Sequence, residues 1–240
     1  MSEKIFVCLT CSRRKVYINL AKRVGWCHYC SKALGPEQVK KYIGDTDTSR
    51  PARVLSTLPP LESAWKSREA VRFLHSREVY EKDCPLLLYD KEGRRLYFRV
   101  WSPSPDLPGT YHTRSIDPEG TWRIVSGATK GGYLFGSLLK RRACIVEGIW
   151  DALRIGPGAL SLLGSSLSRT QETYLRNTFD RVLLYMDPDE AGRKARKEIH
   201  SRLTNIGVEC SVVYGADKEP ADYSPDHPTI QMVQGWLRKD

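Results

Sequence analysis

The sequence contains no long hydrophobic run. No apolar stretch comes near the ~20 residues that a membrane-spanning helix needs, and the short apolar run in "MSEKIFVCLTCSRRK" is interrupted by cysteines. A secretory signal has a longer, uninterrupted apolar segment. We therefore expect a cytoplasmic protein that has no membrane partner.

The chain also lacks a P-loop, since the pattern G-x4-G-K-[ST] occurs nowhere in it. This absence excludes an ATPase of the P-loop class. Acidic residues are the minority among the charged ones, because 28 Asp and Glu stand against 38 Lys and Arg, for a net charge of +10. A basic surface favours polyanionic partners, most often nucleic acid. Charge that serves only solubility is the alternative.

The seven cysteines are an odd number, which argues against a framework of disulfides. Four of them form two C-x2-C pairs that are fifteen residues apart: Cys8, Cys11, Cys27 and Cys30. Each pair lets a tight turn direct two sulfurs at one ion, and two facing turns make a tetrahedral thiolate cage. The spacing predicts one structural zinc ion in a ribbon over residues 1–44, with a strand pair between the cysteine pairs. Two redox dithiols are the alternative.

The segment after the cysteines is mixed in composition. Residues 45–60 are rich in Thr, Ser, Pro and Asp without a sustained period, which predicts a linker. From there to residue 84, apolar residues recur at helical spacing and predict one or two helices. We therefore assign residues 45–84 to a linker followed by helices.

Residues 85–137 contain two pairs of β-rich runs. The first pair lies around the turn "DKEG" and the second covers residues 110–127, so each predicts a hairpin of a small antiparallel sheet. A glycine-rich loop with Lys130 follows. Glycine lets the backbone approach a phosphate closely and lysine offers a point charge. A plain connection to the next domain is the alternative.

Short apolar strands alternate with helical segments over residues 138–240. Four strand-like runs are separated by three helical patterns, the second with a cap signal at Ser168 and the third ended by Gly207. The strands are nearly continuous apolar runs, as burial on both faces of a sheet requires. The alternation predicts a mainly parallel α/β sheet covered by helices.

Acidic side chains follow three of these strands. They are Glu147, Asp187, Asp189, Glu219 and Asp222. Because ligands of open α/β sheets lie beyond the carboxyl ends of the strands, we expect these acids to gather at one edge. Carboxylate oxygens suit Mg²⁺, which binds few of them and leaves room for phosphate oxygens. Such a cation would offset the repulsion between neighbouring carboxylates.

Two acids near this edge have a structural alternative. Asp189 can cap the helix that begins after it, a role that does not prevent it from facing a metal. Asp151, one turn into the helix after Glu147, fits an acid on the helix surface better than a metal ligand. Glu147 precedes a glycine and has no capping role of its own.

At these residues the sequence resembles a known family. "VEGIWDAL" followed by "YMDPDEAG" is similar to the E…DxD motif of the TOPRIM domain, which primases, topoisomerases and some nucleases share. "AVRFLHSREV" resembles the A-x-x-[YF]-L-x-x-R segment of primases, and "KGGYLFG" resembles their K-G-x-x-L-[YF]-G motif. With the order of zinc ribbon, mixed sheet and TOPRIM, these motifs are typical of bacterial and phage DNA primases. Residues 85–137 then correspond to the amino-terminal part of the primase core and residues 138–240 to the TOPRIM domain.

The resemblance implies roles for individual residues. The catalytic acids and Mg²⁺ ligands of the family correspond to Glu147, Asp187 and Asp189, and Asp151 matches the acid four residues after the glutamate. The third family motif, K-D-P-D, reads "KEPAD" here, so the further ligand is either Glu219 or Asp222. Basic residues that hold nucleotide or template in the family correspond to the regions of Lys130, Arg114 and Arg123.

The family synthesises short RNA primers on single-stranded DNA from NTPs, with one structural Zn²⁺ and catalytic Mg²⁺ or Mn²⁺. The resemblance therefore implies a DNA-directed RNA polymerase, a nucleotidyltransferase that acts beside a replicative helicase. The short chain favours a phage or mobile-element source, and hence the cytoplasm of a bacterial host. The alternatives are a non-catalytic zinc and TOPRIM recombination mediator and a TOPRIM nuclease.

Overall fold

The computed structural model of the 240-residue chain describes residues 4–7, 14–19, 24–27, 30, 33–35, 38–39, 58–104, 107–125, 130–139 and 141–239. The chain divides into two compact units, Met1–Ser56 and Thr57–Asp240. Within the described ranges, no helix has both the length and the apolar character needed to cross a bilayer.

The first unit contains a four-stranded antiparallel sheet with the strand order β1-β2-β3-β4. Its strands are β1 (Lys4–Val7), β2 (Arg14–Asn19), β3 (Val24–Cys27) and β4 (Ala33–Leu34). The predicted strand pair between the two cysteine pairs is confirmed, because β2 lies antiparallel to β3 with Val16 opposite Cys27. The core of this unit consists of Val16, Ile18, Cys27, Leu34 and Val39.

Two of the four predicted zinc ligands lie within the described residues. Cys27 is buried at the end of β3 and Cys30 is partly buried three residues later, whereas Cys8 and Cys11 lie outside the described residues. Val7, which directly precedes Cys8, pairs with Arg14, at the end of the sheet where β3 finishes. The strand register therefore agrees with two cysteine pairs at one end of the sheet.

The second unit begins with a five-stranded antiparallel sheet in the order β5-β6-β7-β8-β9. Its strands are β5 (Glu62–Ser63), β6 (Leu88–Asp90), β7 (Arg95–Val100), β8 (Thr110–Ser115) and β9 (Trp122–Ile124). Both predicted hairpins are confirmed, since β6 pairs with β7 and β8 pairs with β9. In the first hairpin, Oδ1 of Asp90 accepts a hydrogen bond from the N–H of Gly93 at 2.9 Å and closes the turn.

The helical segment before this sheet is confirmed as one α-helix with short 3-10 turns on each side. Helix α1 (Arg68–His75) begins after Ser67, whose side chain accepts a hydrogen bond from the N–H of Ala70 at 3.4 Å. The 3-10 turns cover Ala64–Lys66 and Glu81–Asp83.

The second sheet of this unit has the order β10-β12-β11-β13-β14. Its strands are β10 (Phe135–Gly136), β11 (Arg142–Val146), β12 (Ala159–Ser161), β13 (Arg181–Leu184) and β14 (Glu209–Val212). The last four strands are mutually parallel, and β10 pairs antiparallel with β12. The predicted α/β fold, an antiparallel sheet followed by a mainly parallel one, is therefore confirmed.

Helices connect and cover the parallel strands. They are α2 (Ile149–Ile155), α3 (Arg169–Thr178), α4 (Glu190–Asn205) and α5 (Pro228–Arg238), with 3-10 turns at Lys130–Gly132 and Pro220–Asp222. The predicted cap of α3 is present, because Oγ of Ser168 accepts a hydrogen bond from the N–H of Gln171 at 3.1 Å. Helix α5 was not predicted from the sequence; Ile230, Val233 and Leu237 bury one of its faces.

Backbone hydrogen bonds join the two sheets of the second unit. Trp101 and Leu134 each donate an N–H to the other's carbonyl oxygen, at 3.0 and 2.9 Å, and the indole N–H of Trp101 donates to the carbonyl of Gly136 at 3.0 Å. Phe98 packs edge-on against Phe135 and Trp150 across the junction, with ring centroids 5.9 and 5.2 Å apart. One hydrophobic core thus continues from the antiparallel sheet into the parallel one.

Candidate metal and catalytic site

Three acidic side chains meet at the carboxyl edge of the parallel sheet. One carboxylate oxygen from each of Asp151, Asp187 and Glu219 lies within 4.8 Å of the other two. These residues come from the first turn of α2, the loop after β13 and the loop after β14. Because hard oxygen atoms at such distances suit a single divalent cation, this three-acid cluster is a candidate site for Mg²⁺ or Mn²⁺.

Glu147 lies beside the cluster, directly after β11. Its Oε1 accepts a hydrogen bond from the backbone N–H of Asp187 at 3.2 Å, so the two residues meet at one edge, as expected. Its carbonyl oxygen accepts hydrogen bonds from Oγ of Ser161 at 2.8 Å and from the N–H of Gly164 at 3.0 Å. Burial, and then the charge of Asp187, raises the pKa of Glu147 to about 7.

Asp151 is the acid for which the sequence-based expectation is wrong. It is not on the helix surface, since it is only 4% exposed. Its Oδ2 accepts a hydrogen bond from the N–H of Gly148 at 3.0 Å, and its Oδ1 accepts one from the N–H of Ala221 at 3.1 Å. Burial and the charge of Glu219 raise its pKa to about 7. Asp151 follows Gly148 by three residues, a spacing at which an acidic side chain accepts a hydrogen bond from the backbone at the start of its helix. This spacing was the signal that could have predicted the inward position of Asp151.

The negative charges of the cluster repel one another. Burial raises the pKa of Asp187, and the charges of Asp189 and Asp222 raise it further. Burial also raises the pKa of Glu219, followed by the charges of Asp187 and Asp222. Among the described residues, nothing donates a hydrogen bond to the buried Oδ1 of Asp187. A buried carboxylate oxygen without a partner is unfavourable unless the group is protonated or binds a cation, and the convergence of three acids fits a divalent ion.

The sequence left Glu219 and Asp222 as alternatives, and Glu219 is the one inside the cluster. Asp222 is exposed and does not belong to the three acids that converge within 4.8 Å. Its charge nevertheless contributes to the raised pKa of Asp187 and Glu219, so it lies at the rim. The loop that carries both is tied to α2, because the N–H of Ala221 donates to Asp151. The geometry therefore favours Glu219 as the third ligand.

Asp189 caps helix α4, which confirms the capping role predicted as an alternative for this residue. Its Oδ1 accepts a hydrogen bond from the N–H of Gly192 at 2.7 Å. The side chain is exposed, and its charge adds to the effect of burial on the pKa of Glu147 and Asp187. Asp189 therefore faces the same edge from the rim while it serves the helix.

The three basic residues predicted to hold nucleotide or template lie on different elements. Arg114, on β8, has its guanidinium 5.8 Å from the ring centroid of Trp122. Arg123 is exposed on β9, and Lys130 is exposed at the start of a 3-10 turn. Burial, and then the charge of Lys130, lowers the pKa of His112 to about 4, which places Lys130 near the face of β8.

Arg77 is a residue of this site that the sequence analysis did not single out. Its guanidinium lies over the rings of Phe73 and Trp150, at 5.4 and 5.2 Å from their centroids. Its charge opposes the burial-driven rise in the pKa of Glu219 and, together with burial, lowers the pKa of Arg114. Arg77 is the final arginine of the A-x-x-[YF]-L-x-x-R segment, and that position was the signal from which it could have been found.

A cleft of about 910 Å³ extends from the rim acid Asp222 along α2, and the three acids of the cluster are not among its lining residues. Its walls include Phe73, Arg77, Arg114, Trp150, Arg154 and Asp222. A volume of this size accommodates a nucleotide. Guanidinium groups contact phosphates and aromatic rings contact bases, so the part of the cleft lined by Arg77, Arg114 and Trp150 is suited to a nucleotide, whereas Arg154 is already paired with Glu78.

The metal-free protein is expected to lose stability as the pH rises from about 6.5 to about 8. Carboxyl groups whose pKa is raised by folding stabilise the folded state while protonated, and this contribution is lost as the pH passes the folded value, about 7 for Glu147 and Asp151. Folding lowers the pKa of His112, and this shift reduces the stability of the folded state mainly below pH 6.5, where the histidine of the unfolded chain is protonated. It therefore does not oppose the decrease in stability above that pH. Thermal unfolding in EDTA should show the decrease.

Added Mg²⁺ should raise the unfolding temperature more at pH 8 than at pH 6.5, because ionised carboxylates bind the cation. Asp187→Asn provides the matched comparison: it removes one charge and should flatten the pH dependence in EDTA. A wild-type unfolding temperature that does not change over this pH range would contradict the expectation.

Known proteins resemble this chain in sequence and in fold. Residues 144–224 match the family described as Toprim-like, and this range contains all four residues Glu147, Asp151, Asp187 and Glu219. The DNA primase of Aquifex aeolicus (strain VF5) is 35% identical over 101 residues, which are 40% of this chain and 20% of that protein. The match therefore spans about a fifth of the relative's length.

Two solved structures share the fold over nearly the whole chain. The crystal structure of the zinc-binding and RNA polymerase domains of Aquifex aeolicus primase has a TM-score of 0.54 and 19% identity, covering 99% of this chain and 79% of that one. The primase fragment of the bacteriophage T7 primase-helicase protein has a TM-score of 0.55 and 16% identity, covering 98% and 100%. The predicted resemblance to DNA primases is confirmed in sequence and in fold.

Proposed function

We propose that this chain, whose residues 144–224 form a Toprim-like domain, is a DNA primase that synthesises short RNA primers on single-stranded DNA. The observation that carries the proposal is the meeting of Glu147 with Asp151, Asp187 and Glu219 at one sheet edge. The 35% identity to the Aquifex DNA primase over 101 residues supports this reaction class. The enzyme would be a DNA-directed RNA polymerase.

The proposed reaction joins two nucleotides. A 3′-hydroxyl attacks the α-phosphorus of an NTP, a new P–O bond forms, the bond to pyrophosphate breaks and the hydroxyl proton is released. Bound Mg²⁺ or Mn²⁺ would orient the phosphates and neutralise charge at the attacking and leaving oxygens. The residues that would hold the ions are Asp151, Asp187 and Glu219, with Asp189 at the rim.

Glu147 would accept the proton from the 3′-hydroxyl. Its pKa, raised to about 7 by burial and then by Asp187, lies near the operating pH, where a general base is most effective. The N–H of Asp187 holds its Oε1 at 3.2 Å and so orients the carboxyl group.

Arg77 and Arg114 would bind the triphosphate in the cleft. Stacking on Phe73 and Trp150 fixes the guanidinium of Arg77 before a ligand arrives, so little side-chain entropy is lost on binding. Lys130 and Arg123 would contact template or nucleotide from the antiparallel sheet and the loop that follows it.

A primer-synthesis assay tests the proposal. The full chain is incubated with single-stranded templates of varied sequence, labelled NTPs and either Mg²⁺ or Mn²⁺, and labelled oligoribonucleotides are the expected product. If no product forms on any template while single-stranded DNA is bound, the chain is a non-catalytic binding protein instead. Degradation of DNA in the absence of NTPs would make it a nuclease.

We further propose one structural Zn²⁺ held by Cys8, Cys11, Cys27 and Cys30. The register of β1, β2 and β3 supports this assignment, since it brings Val7 and Cys27 to one end of the sheet. The Aquifex structure with the same fold contains a zinc-binding domain. The ion would supply most of the folding energy of so small a unit. The folded zinc-binding unit would then select the initiation site on the template.

Replacing Cys27 with serine is expected to release the zinc, since three thiolates and a hydroxyl bind it far less strongly. Zinc content measured by atomic absorption should fall from about one ion per chain to near zero, and template choice should change more than the basal rate of synthesis. Cys210→Ser, at a partly buried position on β14, is the matched control and should retain the ion. Equal zinc content in both variants would refute the assignment.

A replicative helicase is the proposed partner, because a primase needs single-stranded DNA. The similar T7 fragment comes from a primase-helicase protein, which supports the pairing. The proposed location is the cytoplasm of a bacterium, which would be the host if the chain is encoded by a phage.

A further inference from the structure

We infer that the single-stranded DNA template is held next to the acids on a surface of one aromatic and four cationic side chains. We call it the Tyr214 surface; it consists of Arg193, Lys194, Arg196, Lys197 and Tyr214. The inference rests on the proposed function and specifies where the same site binds its template.

Tyr214 is exposed to a degree that packing does not explain. Its relative exposure is 77%, the largest among the exposed large hydrophobic residues of the described chain. The guanidinium of Arg196 lies 5.5 Å from its ring centroid, so a cation holds the ring and most of the ring remains open to solvent. An open aromatic face beside an arginine is an arrangement on which an unpaired base stacks.

Strand register places Tyr214 close to the acids. Leu184 of β13 pairs with Val212 of β14, and the N–H of Val213 donates to the carbonyl of Leu184 at 3.0 Å, which continues the register past the strand end. One residue further, Tyr214 is level with Met186, the residue before Asp187. Neighbouring strands are ~4.8 Å apart, so Tyr214 occupies the same edge of the sheet as the three-acid cluster.

The four cations of the surface lie in the first half of α4, which begins at that edge. Between Glu190 and Glu198 there is no acid, and the helix buries Gly192, Ala195 and Ile199, so the cations project from its other sides. In the described part of the chain, the ion pairs do not include Lys194, Arg196 or Lys197. Their charge is therefore available to phosphates, and the positive end of the helix dipole adds to it.

The chemistry favours a single strand over a duplex. In a duplex both faces of each base are stacked, so a protein ring that lies open in solution gains a stacking partner only from an unpaired strand. The long unpaired strand in the proposed reaction is the DNA template. A strand that stacks one base on Tyr214 and passes its phosphates along α4 would run directly beside Asp187.

The test measures binding of a fluorescein-labelled DNA single strand by anisotropy, with the full chain and without NTPs or metal. Tyr214→Ala should weaken binding about fivefold or more, since base stacking on an aromatic ring is worth roughly that or more. Tyr214→Trp, which keeps an aromatic face, should bind within about twofold of wild type. An unchanged circular dichroism spectrum would confirm that these exposed positions leave the fold intact.

Salt dependence separates stacking from phosphate contacts. Lys197→Ala should reduce the slope of log K against log salt by about 0.7, the value for one phosphate contact to a single strand, whereas Tyr214→Ala should leave the slope unchanged. Arg176→Ala is the matched control: Arg176 is an exposed arginine near the end of α3, on the opposite edge of the sheet. It should change neither the affinity nor the slope.

Equal affinity of wild type and Tyr214→Ala would overturn the inference, and so would an equal loss for Arg176→Ala and Lys197→Ala. An RNA strand of the same sequence separates template from product: a larger loss with RNA than with DNA would overturn the assignment to the template. The failure of primer synthesis by wild-type protein tests the proposed function alone, because the binding measurement needs neither NTPs nor metal.

Discussion

Primer synthesis by the Asp187→Ala variant is expected to fall roughly a thousandfold or more, which is about 4 kcal/mol of transition-state stabilisation. Asp187 contributes a side-chain oxygen to the three-acid cluster, and its backbone N–H donates a hydrogen bond to Oε1 of Glu147. Removing its side chain takes away one proposed metal ligand and leaves the backbone contact in place. The loss should therefore appear in kcat and kcat/KM for NTPs together.

The fold of this variant should remain intact. Asp187 lies in a loop after β13, its Oδ1 has no hydrogen-bond donor in the described structure, and its charge raises the pKa of its neighbours. The unfolding temperature in EDTA should therefore be equal to or above that of wild type. Asp180→Ala, at the other end of the same strand and in an exposed pair with Arg141, is the control that should retain full activity. Wild-type turnover by Asp187→Ala would refute the assigned site.

Gly192→Ala is expected to disable the site through a single methyl group. A Cβ at this position would lie 2.2 Å from the carbonyl oxygen of Asp187 and 2.8 Å from Oε1 of Glu147. Backbone cannot yield as a flexible side chain does, so the start of α4 and the Asp187 loop must move apart. A displacement of ~1 Å at reacting groups is worth roughly a hundredfold in rate, and the overpacking should lower the free energy of unfolding by about 1–3 kcal/mol.

Gly235→Ala is the matched control for this substitution. Gly235 is also inside a helix, α5, and nothing lies within 4 Å of the Cβ that alanine would add. That change should raise the free energy of unfolding by about 0.5–1 kcal/mol, since alanine loses less backbone entropy in a helix. Full activity of Gly192→Ala would show that the close approach of α4 to the acids is not needed. Comparable losses in both variants would point to a general effect of the methyl group.

Much of the fold could be predicted because its signals are local. The four parallel strands are nearly continuous apolar runs, and Ser168 and Asp189 cap the helices that follow them. Helix α5 was missed, although Ile230, Val233 and Leu237 recur at helical spacing and Pro228 occupies the first helical position, where proline is common. Gly235 inside the segment weakens the helical pattern. Helices and strands are therefore predicted well from local sequence when glycine and proline occur only at the ends of these elements.

The site was predicted less completely, because it depends on contacts between distant segments. Strand-end position was enough to bring Glu147 and Asp187 together. Asp151 accepts a hydrogen bond from the N–H of Ala221, seventy residues away, and the stacking of Arg77 on Trp150 is a contact between the turn after α1 and helix α2. Local signals for both residues were present, namely Gly148 three residues before Asp151 and the final arginine of the A-x-x-[YF]-L-x-x-R segment. Neither signal says which distant residue the side chain contacts, so Asp151 was assigned to the helix surface and Arg77 was not singled out.

The pairing of β10 with β12 has a consequence for the design of fragments. β10 contributes only Phe135 and Gly136 to the sheet, yet it covers the outer side of β12, and Trp101 donates its indole N–H to Gly136. A truncated chain starting at residue 138 would leave the backbone of β12 as an uncovered edge strand, a template for pairing with other molecules. Fragments intended to stay monomeric should therefore begin before the antiparallel sheet rather than at residue 138.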